Sequence, residues 1–300
     1  MALFNSPSQV FYWGYLLATL LIAMLVFYVR DREEHQSYLK VFSYCFPSKT
    51  YLTRSFIHDI GLFIINIILF TLILTSIILV AENIMPDVSA GLQQQFGLLS
   101  NPWSGDIASV VYMLAVMLAV DLGFFISHYL HHKIPVLWEF HKVHHTAEVL
   151  NPMTAFRRHP LDYFIELNII ALLLGGVYGV FAWLSDNTLD MVSILGVNAG
   201  IFLFLMIGSH LQHSHIWISY GFMNKVLVSP AMHHIHHSSA EQHIDKNMGS
   251  MFSFWDWMMG TRYIPQQRES LSLGLAGVQG GSLTSLWAMV FDPFKKLFKK

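Results

Sequence analysis

The sequence predicts an all-α fold: a polytopic bundle of membrane helices with a helical cap on its cytoplasmic side. Three observations carry this. The 300 residues are 54% hydrophobic and only 12% charged, against about 25% charged in a soluble domain. The apolar residues fall in runs of about twenty, the length that crosses a hydrocarbon core. All seventeen Lys and Arg lie in segments that alternate with segments holding none, as expected when basic loops stay on the cytoplasmic side.

Taken in order, residues 10–29 are the first predicted span, stopped by Arg30-Asp31-Arg32-Glu33-Glu34. That run lacks a basic leader and a small-residue cleavage site, so no cleavable signal peptide is expected. Residues 30–55 read as a charged loop and 56–80 as a second span rich in Ile and Leu. Pro86, Gly91, Gly97, Pro102 and Gly105 make 81–106 a loop, with room for a short interfacial helix. Residues 107–127 form a third span that runs straight into His128. Residues 131–163 are polar and broken by Pro135, Pro152 and Pro160. Residues 164–184 and 189–209 are a fourth and a fifth span, joined by a link that leaves room only for a hairpin. The tail through Phe291, Phe294, Lys295, Lys296, Leu297 and Phe298 reads equally as an amphipathic surface anchor or a plain basic terminus.

Five spans with the N-terminus outside put every basic loop and every histidine cluster on the cytoplasmic side. The organisation expected is N-terminal spans over 1–120, a histidine-rich region over 121–263 that includes the membrane hairpin 164–209, and a tail over 264–300. The net charge of −2 says nothing for nucleic acid. The single cysteine, Cys45, excludes an internal disulfide, a thiolate zinc site and a protein-borne iron–sulfur cluster. No dinucleotide fingerprint of the Gly-x-Gly-x-x-Gly type is present.

The histidines carry the chemistry. His128-Tyr-Leu-His131-His132 and His141-Lys-Val-His144-His145 place six histidines in eighteen residues. On a helix, His128 and His132 share a face, as do His141, His144 and His145. The pattern returns at His233-His234-Ile-His236-His237. One cluster reads as well as a tag, a solvated run or a pH sensor; three at helical spacing in so apolar a chain point to metal. Eight ligands follow: His128, His132, His141, His144, His145, His233, His236 and His237. His213, after the fifth span, is a ninth. Four would satisfy one zinc, so nine imply two metals. Near a bilayer, without a carboxylate-rich motif, a pair of irons that activates O2 is the natural use, because iron cycles redox states and zinc does not.

The other histidines read differently. His131 and His234 point about 100° away from their neighbours on a helix, towards supporting or surface roles. His210 reads as a buried hydrogen-bonded histidine, His215 and His243 are left open, and His35 and His58 are bystanders. Asp121 lies two turns before His128 on one face and is expected to accept a hydrogen bond from a ligand histidine, with an interhelical polar contact as the alternative. Glu139, Asp162, Glu166 and Asp245 are weaker candidates for the same role.

These residues resemble the fatty acid hydroxylase and sterol desaturase superfamily of integral membrane di-iron enzymes. The resemblance rests on His128-x3-His132, His141-x2-His144-His145, His159-Pro160-Leu161-Asp162 and the lone His213. It continues through His233-x2-His236-His237, Asp245-x-Asn247-x-Gly249 and Trp255-Asp256-x3-Gly260-Thr261, and covers 121–263. The short gap from His132 to His141 is similar to this superfamily; acyl-CoA desaturases have a much longer one. The extra His215 is a departure that leaves the ligand count open. The resemblance implies that His159 is a ligand or a ligand's partner, and it draws Asn247 in with Asp121, Asp162 and Asp245 as residues standing behind the metal.

The function implied is an O2-dependent lipid hydroxylase or desaturase with two Fe ions, acting on a sterol, fatty acyl or ether lipid in a bacterial inner membrane or the endoplasmic reticulum. Two electrons per turnover would come from an external donor, a cytochrome b5- or ferredoxin-like protein on the cytoplasmic side. The substrate is expected in an apolar cleft under the metals that opens to lipid, its polar head near Arg157, Arg158 and Lys142. The alternatives are a membrane metal transporter or a metal-binding protein without oxygenase activity, and a zinc hydrolase. A transporter should carry ligands at mid-membrane, and the hydrolase should carry a His-Glu-x-x-His general base; the sequence offers neither.

Overall fold

A computed structural model describes residues 2–30, 38–275 and 283–297. Among these the structure is mostly helical, with one small antiparallel pairing of Ser193–Ile194 with Val197–Asn198 and isolated bridges at Leu227–Phe252 and Ser238–Leu273. The histidine His35 and the last three residues of the basic tail lie outside the described residues.

Helices α1 (Ala2–Asn5) and α2 (Trp13–Arg30) open the chain, followed by α3 (Tyr38–Cys45) and α4 (Ser48–Tyr51). The apolar stretch of α2, Trp13–Val29, is shorter than the roughly 20 residues of a full crossing. Its buried Ala23 and Phe27 join Val41 and Cys45 of α3 and Leu211 and Ile216 of the later chain in one apolar cluster. Among the described residues, three helices are long and apolar enough to cross a membrane: α5 (Arg54–Leu72), α7 (Gly105–Lys133) and α9 (Pro160–Ser185), with α6 (Ala81–Phe96) and α8 (Pro135–His145) between them. The Thr53 hydroxyl accepts from the Phe56 amide and starts α5. Pro160 occupies the first turn of α9, where its missing N–H removes nothing. Ile57, Ile64, Leu72, Val110 and Leu114 lie exposed on these helices, as apolar side chains facing lipid would.

Two expectations are corrected. Within 81–106, expected as a loop with room for a short interfacial helix, residues 81–96 form a sixteen-residue helix, α6. Proline and glycine made the segment read as irregular, but α6 is held by tertiary packing on α9. An added Cβ at Gly175 would meet Ile84 at 2.5 Å, and one at Gly179 would meet Val88 at 2.5 Å. These two small residues, one turn apart, let the helices touch backbone to side chain.

The second correction is residues 189–209, which do not form one spanning helix. They hold the small hairpin and a nine-residue helix, α10 (Ala199–Ile207). The chain still travels back along α7. Asn198 Nδ2 donates to the Met113 carbonyl at 2.8 Å, and His213, fifteen residues on, meets His144 of α8. Asn198 also caps α10 by accepting from the amides of Gly200 and Ile201.

The cap is built from α8, α11 (Ser209–Gln212), α12 (Pro230–His236), α13 (Phe254–Met259) and the turns between them; α14 (Leu286–Leu297) lies against α8 and α5. Buried polar groups tie it to the spans. Asp121 of α7 accepts from the amides of Met251 and Phe252 at 2.8 and 3.1 Å and from Trp255 Nε1 at 2.8 Å. Arg157 donates to Asp59, to Ser55 and to Thr146, and Asp59 also accepts from Asn151 and Thr154. Such buried ion pairs are strongly destabilising to break, because the survivor is left unpaired.

Candidate metal centre

Helix spacing sorts the histidines into two groups. His128 and His132 of α7, His141 and His145 of α8 and His236 of α12 form one set; His144, His213, His233 and His237 form the other. In each set the candidate ligand atoms lie within 4.8 Å of one another. Residues four apart share a face and go to one set, while a neighbour one residue away is turned by about 100° and goes to the other. Each of α8 and α12 therefore feeds both sets. The sets adjoin: the His145 and His237 rings are 5.0 Å apart, and those of His141 and His144 5.5 Å.

The chemistry of the donors fits metal. In the five-histidine set every Nε2 is buried without a protein partner, a costly state for a polar atom unless something binds it. In the four-histidine set the Nε2 atoms run 144–213–233–237 with contacts of 3.2, 2.9 and 3.2 Å. A neutral ring nitrogen carries either one proton or one lone pair, so hydrogen bonds alone do not satisfy this run. One cation satisfies all four: nitrogens bound at about 2.0–2.1 Å lie about 2.9–3.4 Å apart. Burial, reinforced by neighbouring imidazoles, holds His141, His144, His145, His233, His236 and His237 well below their ordinary 6.5, and His213 at about 3. At neutral pH these rings are uncharged, the state that binds metal.

A second layer orients the rings. His141 Nδ1 meets Asp162 Oδ2 at 2.8 Å, and His132 Nδ1 meets Asp245 Oδ1 at 3.1 Å. His128 Nδ1 reaches the Met248 carbonyl at 2.7 Å and His236 Nδ1 the Lys246 carbonyl at 2.8 Å. Each leaves Nε2 as the lone-pair side. Asp162 is itself gripped by Arg158, which also forks both oxygens of Glu166 at 2.8 Å. The hydrogen bond from His132, with a second from Lys133, holds Asp245 far below the usual carboxylate range against the opposing effect of burial.

Several expected roles change. His159 joins neither set. Its Nδ1 accepts from the Leu161 amide and its Nε2 donates to the Val290 carbonyl, each at 3.0 Å, so it caps α9 and fastens α14. Asp121 accepts from the cap backbone and touches no ligand histidine, because the cap turn 251–255 lies against it. The Asn247 side chain hydrogen-bonds no imidazole either; it clamps Met232 and Tyr263 backbone groups. His131 Nδ1 bonds the Ser127 carbonyl while Nε2 stands 3.7 Å from Asp162. His215 bonds the Tyr44 carbonyl, His243 pairs with Glu269, and His210 and His234 are buried outside both sets. The Lys246 and Met248 carbonyls escaped the sequence reading because backbone acceptors leave no side-chain signal.

A cavity of about 460 Å³ touches both sets through His132, His145, His236 and His237. Trp138, Ile244 and Leu275 supply apolar wall, and Lys142, Lys296 and Asp245 supply charge. Glu139 pairs with both lysines. Arg157 and Arg158 are consumed in buried ion pairs, so they do not serve as free head-group cations.

The sequence model of the fatty acid hydroxylase family matches residues 113–261, the stretch that holds all nine clustered histidines. The chain is 27% identical over 205 residues to an ornithine lipid hydroxylase of Rhizobium tropici, covering 67% of this chain and 56% of that protein. It is 24% identical over 221 residues to human alkylglycerol monooxygenase, covering 69% and 45%. Against human cholesterol 25-hydroxylase it is 28% identical over 157 residues, 50% of each. The chain thus spans about half the length of the curated relatives it matches. No solved structure matches it.

Proposed function

The chain belongs to the fatty acid hydroxylase family, and on that premise we propose that it is a membrane oxidoreductase that hydroxylates a lipid C–H bond with O2. The observation that supports this best is the convergence of nine imidazoles, seven of them on buried residues, into two adjoining sets. Two irons held there would supply O2 activation and electron storage. The overall change is RH + O2 + 2e⁻ + 2H⁺ → ROH + H2O. The two electrons come from an external donor, a cytochrome b5- or ferredoxin-like protein.

The chain's own residues do the rest. The nine rings offer Nε2 to the metals, and Asp162, Asp245 and two carbonyls keep four of them aimed. The cavity accepts the reacting part of the substrate against Trp138, Ile244 and Leu275, whose apolar surface excludes water. Lys296, the exposed lysine of the cavity lining, takes the head-group role, since Lys142 is buried against Glu139. The substrate class is an amphiphilic lipid with one polar end, consistent with relatives named for an ornithine lipid, an alkylglycerol and cholesterol.

A metal transporter or store fits less well. A transporter carries its polar ligands near mid-membrane, whereas the first ligand histidines sit in the last turns of α7. We also place the metal face on the cytoplasmic side, where all the basic segments gather. A cysteine at Ser239 should react with an impermeant maleimide only after the membrane is breached, and one at Asp87 without breaching.

The deciding experiment combines two measurements on protein purified without chelator. Metal analysis should approach two irons per chain, and turnover in nanodiscs with an electron donor should give an O2-dependent hydroxylated lipid. One zinc with no iron, or product formed without O2, would sink the reading.

A further inference from the structure

We propose that the two metal positions are unequal: the five-histidine position fills first and binds tightly, and the four-histidine position fills second and exchanges. This rests on the two-metal reading above and concerns what it leaves open, the division of labour between the sets.

The inequality lies in what stands behind the rings. Four of the five histidines in the first set have their Nδ1 engaged by the protein. Three of those four partners come from one short stretch, 245–248: the Asp245 carboxylate, the Lys246 carbonyl and the Met248 carbonyl. The stretch is shaped for this. Asp245 and Asn247 both adopt left-handed backbone, with φ of 58° and 54°, and the carbonyls of the two residues that follow them meet rings. Asn247 holds that shape through three backbone hydrogen bonds. Asp256 holds the next residues through the Met248 and Gly249 amides, both at 2.8 Å. The fourth partner, Asp162, is fixed by Arg158.

In the four-histidine set two rings lack such a layer. The Nδ1 atoms of His144 and His233 are buried with no protein acceptor, and no carboxylate bonds any ring of the set. An imidazole with an acceptor behind it is pre-aimed and more basic; removing such an acceptor typically weakens metal binding about 10–100-fold. A carboxylate behind a ring also offsets cation charge that neutral imidazoles leave uncompensated. One position thus has five donors, four anchored rings and two carboxylates, and the other has four donors, two of them with no acceptor behind the ring, and no bonded carboxylate. Asp162 and Asp245 are positioning residues, acting through His141 and His132.

The test titrates chelator-treated full chain in detergent with cobalt(II), read by calorimetry and visible absorption. Wild type should bind in two steps at least tenfold apart. The second step should add the stronger absorption, because four nitrogens in a tetrahedron absorb more intensely than five-coordinate cobalt. Asp245→Asn should weaken the first step about 10–100-fold and leave the second unmoved. Asp162→Asn should do the same; if the unpaired Arg158 prevents it from folding, Asp245→Asn carries the test, since its other partner is the surface Lys133. His144→Ala should remove the second step and keep the first. Two equal steps, or loss of the tighter step in His144→Ala, would overturn the inequality while leaving two metals. Failure to bind any cobalt would overturn the two-metal reading itself.

Discussion

His144 and His215 differ in what their rings touch. The His144 Nε2 stands 3.2 Å from that of His213, inside a set of four. His215 donates from Nε2 to the Tyr44 carbonyl at 2.7 Å and lies edge-on to the Tyr44 ring, a tie between cap and α3. His144→Ala should therefore bring iron content towards one per chain and abolish turnover. His215→Ala should keep both and cost about 1 kcal/mol of stability. Metal analysis with thermal unfolding separates the two, and equal iron loss in both would erase the division between ligands and bystanders. A third residue acts without any side chain. An alanine Cβ at Gly249 would sit 2.6 Å from the Phe252 carbonyl oxygen and 2.8 Å from Asp256 Oδ2. The turn would have to shift, taking with it the Met248 carbonyl that orients His128. Gly249→Ala should lower stability by about 1–3 kcal/mol and reduce the iron retained through purification. Full iron content at unchanged stability would show that the turn absorbs the methyl group.

Helix α14 shows how an element can be placed by a residue that the sequence assigns elsewhere. His159 uses both ring nitrogens, one on the Leu161 amide and one on the Val290 carbonyl, and its ring lies tilted against Phe140 and edge-on to Phe294. Removing it deletes an N-cap and the tie to α14, together about 1–2 kcal/mol. In His159→Ala, hydrogen exchange over 286–297 should accelerate while iron content stays whole. Iron loss with α14 protection intact would return His159 to the ligands. The sequence showed the histidine sets because a ligand pair at i and i+4 is a local property of one helix. It showed the apolar bundle because lipid exposure is written in composition. It hid α6, whose helical state depends on Gly175 and Gly179 of a distant helix, and the broken return path 189–209, whose apolar run looked like one span. It misassigned Arg157 and Arg158, whose partners Asp59 and Glu166 are legible only once the chain has folded.

At the scale of the whole molecule, the metal site makes stability depend on pH in a definite direction. Seven histidines of the cap, His141, His144, His145, His213, His233, His236 and His237, are held below 6.5 in the folded chain, mainly by burial. Unfolding returns them to about 6.5, so below that pH the unfolded chain takes up protons that the folded chain refuses. The metal-free protein is therefore fully stable above about pH 6.5 and loses stability as pH falls below it. Each histidine that must take up a proton contributes about 1.4 kcal/mol per pH unit, and several act together because the rings adjoin. Bound metal occupies the same nitrogens and stabilises only the folded state, so it should move this loss to lower pH. Thermal unfolding in detergent between pH 8 and 5, with chelator-treated and iron-loaded chain side by side, checks both statements. The chelator-treated midpoint should drop steeply below pH 6.5 and the iron-loaded midpoint should hold further down. A flat profile for the chelator-treated chain would mean that the cluster is open to water and protons without metal, and the argument that burial keeps these rings neutral and ready for cations would fail with it.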